Sequence, residues 1–215
     1  MRFEYLTNVP LAQARKEYLE RLVSGGFGSK TETIPVFESC GRVTAKAVYA
    51  HICAPHYAAS AMDGVAVSAK ETFGATETTP VTLKPDQFLV LDTGDPIPED
   101  KDAVIMVEDI VKNGDGSITI HAAAAPWQHI RQIGEDVCAG EMILPSHMTV
   151  SPAAIGAMIA GGVLEIEVIR KPVVGIIPTG DEIIPPCTDP KPGDILEFNG
   201  SIFSAMVRSW GAEAV

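Results

Sequence analysis

The chain has 215 residues, of which 46% are hydrophobic, and a formal net charge of −12. That is enough apolar material for a real core in one or two domains. The acidic balance, the lack of any basic run and an aromatic content of 6% exclude a sequence-independent nucleic-acid binder, because neither a phosphate backbone nor a stack of bases finds a surface here. The N-terminus lacks the charged-then-apolar pattern of a signal peptide, and no uninterrupted apolar segment is long enough to span a bilayer. Cys40, Cys53, Cys138 and Cys187 are scattered, with no CxxC pair. They suggest neither zinc nor a disulfide framework; they fit a reducing cytosol, each expected as a small buried apolar residue.

Thr7-Asn8-Val9-Pro10 opens a helix, with Asn8 as cap and Pro10 in the first turn. Leu11, Ala14, Tyr18 and Leu22 form its apolar stripe with Leu19 beside it, Glu17 pairs with Arg21, and Ser24-Gly25-Gly26 ends it. Thr33–Val36 is extended, and a short helix or turn covers Glu38–Ala45. Asp63-Gly64 then reads as a tight turn leading into a strand with alternating Val65 and Val67.

From Val81 to His121 the signals are β: Val81–Leu83, Phe88–Leu91, Ala103–Val107 and Ile118–Ile120. Asn113-Gly114-Asp115-Gly116 marks a hairpin between Ile110–Lys112 and Ser117–His121. Asp92–Pro98 is an acidic loop punctuated by proline, and Gln132–Val137 is a turn with adjacent carboxylates. Ser151 caps a helix with Pro152 at its first position and Gly161-Gly162 as the stop. Val163–Ile169 alternates apolar and acidic residues, as a half-buried strand does.

Val173–Ile177 is near-continuously apolar, and predicts a strand buried on both faces in a parallel sheet. The loop after it carries Thr179, Gly180, Asp181 and Glu182. A helix follows, with Asn199 as cap, Ile202, Phe203, Met206, Val207 and Trp210 on one face, and Gly211 as the stop. Strand, polar loop and helix make the first half of a βαβ unit, and such sheets bind ligands at the carboxyl ends of their strands. Glu213-Ala214-Val215 approaches a next strand. One βα unit cannot bury its own faces, so the expectation is a fragment or truncated copy of something longer.

Four turns join an acid to a glycine: Met62-Asp63-Gly64, Thr93-Gly94-Asp95, Gly134-Glu135-Asp136 and Thr179-Gly180-Asp181-Glu182. Glycine lets a backbone approach a ligand or take positive φ, although such pairs are also ordinary turn material. If the turns converge, their carboxylates repel an anionic substrate unless a hard cation such as Mg²⁺ lies between them. That arrangement suits transfer at a phosphate or similar oxyanion, with Thr93 and Thr179 as hydroxyl donors. No GxGxxG, Walker or GxSxG pattern occurs, and none of the five histidines has metal-ligand spacing.

The order of residues 59–67 (Ala-Ser-Ala-Met-Asp-Gly-Val-Ala-Val), Thr93–Pro98 followed by Asp102–Glu108, Arg131 with Gly134-Glu135-Asp136, and Pro178–Glu182 resembles the MoeA family of molybdopterin molybdenumtransferases, to which a domain of gephyrin is related. The resemblance implies an α/β plus β, multi-domain, elongated fold. It implies an N-terminal amphipathic helix at 1–26, an α/β linker domain split between 27–50 and 145–171, and a β-rich domain inserted at 51–144. Residues 172–215 then begin a molybdopterin-binding α/β domain. It further implies a cytoplasmic homodimer that inserts molybdate into adenylylated molybdopterin in a Mg²⁺-dependent step releasing AMP, with a molybdopterin adenylyltransferase as pathway partner. A non-catalytic, molybdopterin-binding or dimerising scaffold is the alternative. By motif, Asp63, Asp136 and Glu182 match positions important for activity, as does Thr93 on the substrate side. Thr179, Gly180 and Asp181 match the pterin-phosphate loop. The Thr-Gly-Ala-Pro usual in the family stands here as Thr93-Gly94-Asp95-Pro96, adding a negative charge.

Overall fold

The computed structural model describes residues 8–215, which divide into two compact units: 8–48 with 144–155 and 164–215, and 49–143 with 156–163. Thr7, in the expected helix start, lies outside the described residues. The chain runs through α1 (Leu11–Ser24), β1 (Thr31–Pro35) and a 3-10 turn at Val36–Glu38. Next come β2 (Val48–Tyr49), β3 (Ala59–Ser60), β4 (Gly64–Val67) and α2 (Ala69–Thr72). The β-rich stretch follows with β5 (Val81–Leu83), β6 (Phe88–Leu91), β7 (Ala103–Met106), β8 (Ile110–Lys112), β9 (Ile118–Ile120), β10 (Ile130–Arg131) and β11 (Met142–Leu144). The remainder holds α3 (Pro152–Ala160), β12 (Glu165–Ile169), β13 (Val173–Val174), β14 (Ile183–Ile184), β15 (Ile195–Leu196), α4 (Asn199–Ser209) and β16 (Glu213–Ala214).

In the unit built on 49–143, two three-stranded antiparallel sheets, ordered β6-β4-β7 and β5-β9-β8, share a core. Val65 and Val67 of β4 pack with Leu83, Ile105, Ile118 and Ile120 between the sheets. Ala66, on the other face, packs with Leu91, Val104 and Ile130. Val65 and Val67 alternate onto one face as expected, and all four residues of β4 are buried because it is a central strand with apolar neighbours on both faces. Each buried valine or leucine contributes roughly 1.5–3 kcal/mol of transfer free energy.

The tight turn expected at Asp63-Gly64 is a bend at 61–63 that leads into the strand as expected, one residue earlier. Gly64 already belongs to β4, opposite Leu91 and Met106, and a Cβ placed on it would lie 2.0 Å from the Ile105 carbonyl oxygen. The glycine is needed for close backbone approach, not for positive φ. The hairpin at 110–120 forms as expected, with Val111 opposite Thr119. Its turn is held by the Asp115 carboxylate, which accepts from the Ser117 N–H (3.0 Å) and hydroxyl (2.7 Å).

In the other unit, β1 and β12 form an antiparallel ladder from Thr31–Ile169 to Pro35–Glu165, with Ile166 and Val168 buried and Glu165 and Glu167 turned outward. Arg42 clips its end, bonding Glu32 and donating to the Ile169 carbonyl at 3.1 Å. Lys46 pairs with Glu167 at 2.5 Å and holds that carboxyl below its usual range. Buried Thr44 donates to Pro145 O (2.8 Å) and accepts from Met148 N (3.0 Å), which satisfies its hydroxyl. Ser151 caps α3, accepting from Ala154 N at 3.2 Å.

Three local readings change. Pro10, not Asn8, is the N-cap of α1, and its surface pairs are Gln13–Glu17 and Lys16–Glu20 instead of Glu17–Arg21. None of the α1 stripe is fully buried, and Leu11 is 84% exposed. The cap of α4 is Phe198, and the Glu197 carboxylate, in place of Asn199, accepts from Gly200 N at 2.5 Å.

The strand expected at Val173–Ile177 shortens to Val173–Val174 and pairs in parallel with β16 across the α4 crossover, closing a βαβ unit. It is not buried on both faces: Val173 is 56% and Ile177 84% exposed. The pattern of a doubly covered strand is present, but one partner strand and one helix cannot cover two faces. The cysteines also depart from expectation, since Cys40, Cys138 and Cys187 are exposed and Cys53 is half-buried. Cys40 and Cys187 sit in turns, where no packed layer covers them. No described helix is long and apolar enough to cross a membrane.

Candidate functional site

The site in the β-rich unit is assembled on a two-residue strand. On one edge of β3, Arg131 of β10 pairs with Ala59 and Ile130 with Ser60. On the other, Gly94 N donates to Ser60 O (2.9 Å), Ser60 N to Asp95 O (2.8 Å) and Ile97 N to Ala58 O (2.9 Å). Three motifs far apart in sequence, 59–64, 93–97 and 129–136, thus meet on β3. The buried Ser60 hydroxyl donates to Met62 O at 2.6 Å, turning the corner that delivers Asp63. The Asp63 carbonyl in turn accepts from Val107 N at 2.9 Å.

Asp63 and Thr93 are brought into contact. One carboxylate oxygen, Oδ1, accepts both the Thr93 N–H and its hydroxyl, each at 2.7 Å. These bonds, the hydroxyl's first and the amide's second, hold the Asp63 carboxyl below its usual range against a small opposing effect of burial. Its second oxygen, Oδ2, is left free of Thr93. Gly94 takes φ +94°, and its carbonyl accepts from the Tyr57 hydroxyl at 3.0 Å. Asp95, the departure from the family pattern, accepts from Asp92 N at 2.9 Å, so its charge closes the loop on itself.

Asp136 is not brought to Asp63 by a direct bond. Arg131 binds it through Nη2 at 2.7 Å and binds Glu135 through Nε at 2.5 Å, and these partners hold the guanidinium above its ordinary value. Glu135 also accepts from Gln132 N at 3.1 Å. Asp63, Glu135 and Asp136 are exposed and Arg131 is half-buried. A cleft of about 360 Å³ in the same unit is lined by Glu77, Glu108, Asp109 and His121, of which Glu108 alone ends a quoted motif.

Thr179, Gly180, Asp181 and Glu182 belong to the other unit and are all exposed. Gly180 has φ +145°, and the Glu182 carboxylate lies so close that a Cβ there would be 2.6 Å from it. Glu182 O accepts from Ile195 N at 2.8 Å as β14 and β15 pair in parallel, which anchors the loop after β13. Among the described residues no group of three or more His, Cys, Asp or Glu side chains is placed to hold a metal. Sequence reasoning quoted Arg131 and Glu135 in a motif without seeing that they pair, and it gave no role to Ser60 or Tyr57.

Fold and site together define a protein of mixed helix and sheet that presents acid-and-glycine loops on a small β unit. The family model described as "MoeA N-terminal region (domain I and II)" matches residues 9–162, and the chain belongs to the MoeA family. It is 36% identical over 199 residues to molybdopterin molybdenumtransferase 2 of Mycobacterium tuberculosis, covering 85% of this chain and 49% of that one. It is 33% identical to the molybdopterin molybdenumtransferase of Haemophilus influenzae, covering 95% and 53%. Among solved structures, a molybdopterin biosynthesis MoeA protein from Pyrococcus horikosii matches with TM-score 0.78 and 30% identity over 97% of this chain and 56% of that one. The chain spans about half the length of the relatives it matches.

Proposed function

We propose that this chain serves molybdenum cofactor biosynthesis as part of a molybdopterin molybdenumtransferase. The reaction is insertion of molybdate into adenylylated molybdopterin with release of AMP. What carries the reading is the meeting of three family motifs on β3, with Asp63 ionised and oriented by Thr93. In this role Asp63 and Asp136 act from the β-rich unit, and Glu182 acts with Thr179, Gly180 and Asp181 on the pterin phosphate. Arg131 holds Asp136 in place through its charged hydrogen bond. The working form is an elongated, cytoplasmic homodimer in which the β-rich domain of one subunit faces the α/β domain of the other, fed by a molybdopterin adenylyltransferase.

Mg²⁺ belongs to the same proposal. The exposed oxygens of Asp63, Thr93, Glu135 and Asp136 are the hard donors that ion takes, but three carboxylates or imidazoles do not gather as a ligand set among the described residues. That dispersal favours a second reading, a chain that binds molybdopterin or dimerises without turnover.

AMP release from adenylylated molybdopterin on addition of molybdate, with and without Mg²⁺, separates the two. The enzyme reading expects turnover that Asp63→Ala and Glu182→Ala each abolish while circular dichroism stays unchanged. Full Mg²⁺-dependent activity in both variants would sink the residue assignment. Tight molybdopterin binding with no AMP release would favour the scaffold.

A further inference from the structure

Cys53 and Cys138 are 85 positions apart in sequence but oppose each other in the fold. Ala54 and Val137 exchange both backbone hydrogen bonds of an antiparallel pair, Ala54 N to Val137 O at 2.8 Å and Val137 N to Ala54 O at 3.2 Å. The next residues outward, Cys53 and Cys138, therefore take the closely spaced, non-hydrogen-bonded position, at which Cα atoms of an antiparallel pair generally stand about 4.5 Å apart. That spacing lies within the range a disulfide spans.

The two sulfurs converge on Gly134. A Cβ built on that glycine would lie 2.8 Å from Cys138 Sγ and 3.6 Å from Cys53 Sγ, so the sulfurs are no farther apart than the sum of those distances. Each is also held in place. The Cys138 thiol donates to Gly134 O at 3.3 Å, and Cys53 Sγ accepts from Ala139 N at 3.3 Å. Gly134 has φ +75°, so it serves the turn and leaves room for a sulfur. Both cysteines are free thiols, Cys138 exposed and Cys53 half-buried.

We propose that Cys53 and Cys138 form a reversible dithiol–disulfide pair that staples the loop carrying Arg131, Glu135 and Asp136. The oxidant is a low-molecular-weight disulfide such as oxidised glutathione. The exposed Cys138 thiolate attacks one of its sulfurs, forming a mixed disulfide and releasing one thiolate. Cys53 then attacks Cys138 Sγ and expels the second. Two protein thiols are oxidised, one small disulfide is reduced to two thiols, and the two protons pass to the released thiolates. The proposal stands apart from the transferase reading, because it rests on two side chains which that reading does not use.

The test uses Cys40→Ser/Cys187→Ser, which leaves only this pair, incubated with oxidised glutathione and followed by thiol titration and intact mass. Both thiols disappear together, the mass falls by about 2 Da for the two hydrogens lost, and a digest yields a peptide joining residues 53 and 138. Dithiothreitol restores both thiols. Adding Cys138→Ser leaves Cys53 reduced or carrying a stable glutathione adduct, with no internal link. Two separate glutathione adducts, a linkage between molecules, or two thiols inert in a protein shown folded by circular dichroism would each overturn the proposal.

Discussion

The segment 49–143 and the segment 172–215 both set apolar strands beside acidic loops, yet they bury them differently. In the first, β4 has a neighbour on each edge and a cluster on each face, so every one of its residues is buried. In the second, β13 has a similar apolar sequence but among the described residues pairs only with β16, and most of its apolar side chains and those of α4 remain exposed, as does Trp210 just after α4 at 72%. Strand sequence states what burial a strand can accept; the count of neighbours decides what burial it receives. Loops in the first region inherit a rigid base from that packing, whereas the Thr179–Glu182 loop rests on the two-residue pairing of β14 with β15.

Unfolding in urea tests this contrast most sharply, with Trp127 reporting the first region and Trp210 the second. The largest effect belongs to Gly64→Ala. Its new Cβ would sit on the Ile105 carbonyl, which cannot retreat without opening the β4–β7 ladder, so a loss of about 4 kcal/mol or more, or failure to fold, is expected. Leu83→Ala, in the core between the two sheets, should cost about 3 kcal/mol on the Trp127 signal.

Thr93→Val acts mainly on charge. Removing the hydroxyl bond lets the Asp63 carboxyl rise toward its ordinary value, visible by carboxyl carbon-13 NMR. Because the folded value lies below the unfolded one, the contribution of Asp63 to stability is present above the unfolded value and fades as pH falls through the folded one. The variant should therefore lose less stability on acidification than the parent. An unmoved Asp63 titration would show that Thr93 does not hold it. Smallest of all, Ile177→Ala should change stability by less than about 0.5 kcal/mol. A cost equal to that of Leu83→Ala would erase the contrast between the regions.

Local chemistry was legible in the sequence. The Asn113–Gly116 turn, the Ser151 cap with Pro152 behind it, and the α4 crossover with Gly211 after it are each encoded within a few residues, and the structure forms them. What could not be read depends on partners distant in the chain. The double burial of β4 requires knowing that β6 and β7 flank it. The orientation of Asp63 requires Thr93, and β3 as a platform requires both the 94–97 turn and β10. The motifs were visible as separate acidic turns, but the pairing of Asp136 with Arg131 was not, because charge spacing alone does not say how a loop closes.

Because β3 is only two residues long and borrows both of its borders from remote stretches, it has almost no capacity to exist on its own. Closing loops of this length is entropically costly until their contacts are all made. The ionised Asp63 corner is thus an all-or-nothing product of maturation, absent from any species in which one border is still missing. An Asp63 carbon-13 signal followed during refolding would mark the moment this corner forms, later than the appearance of the 110–120 hairpin.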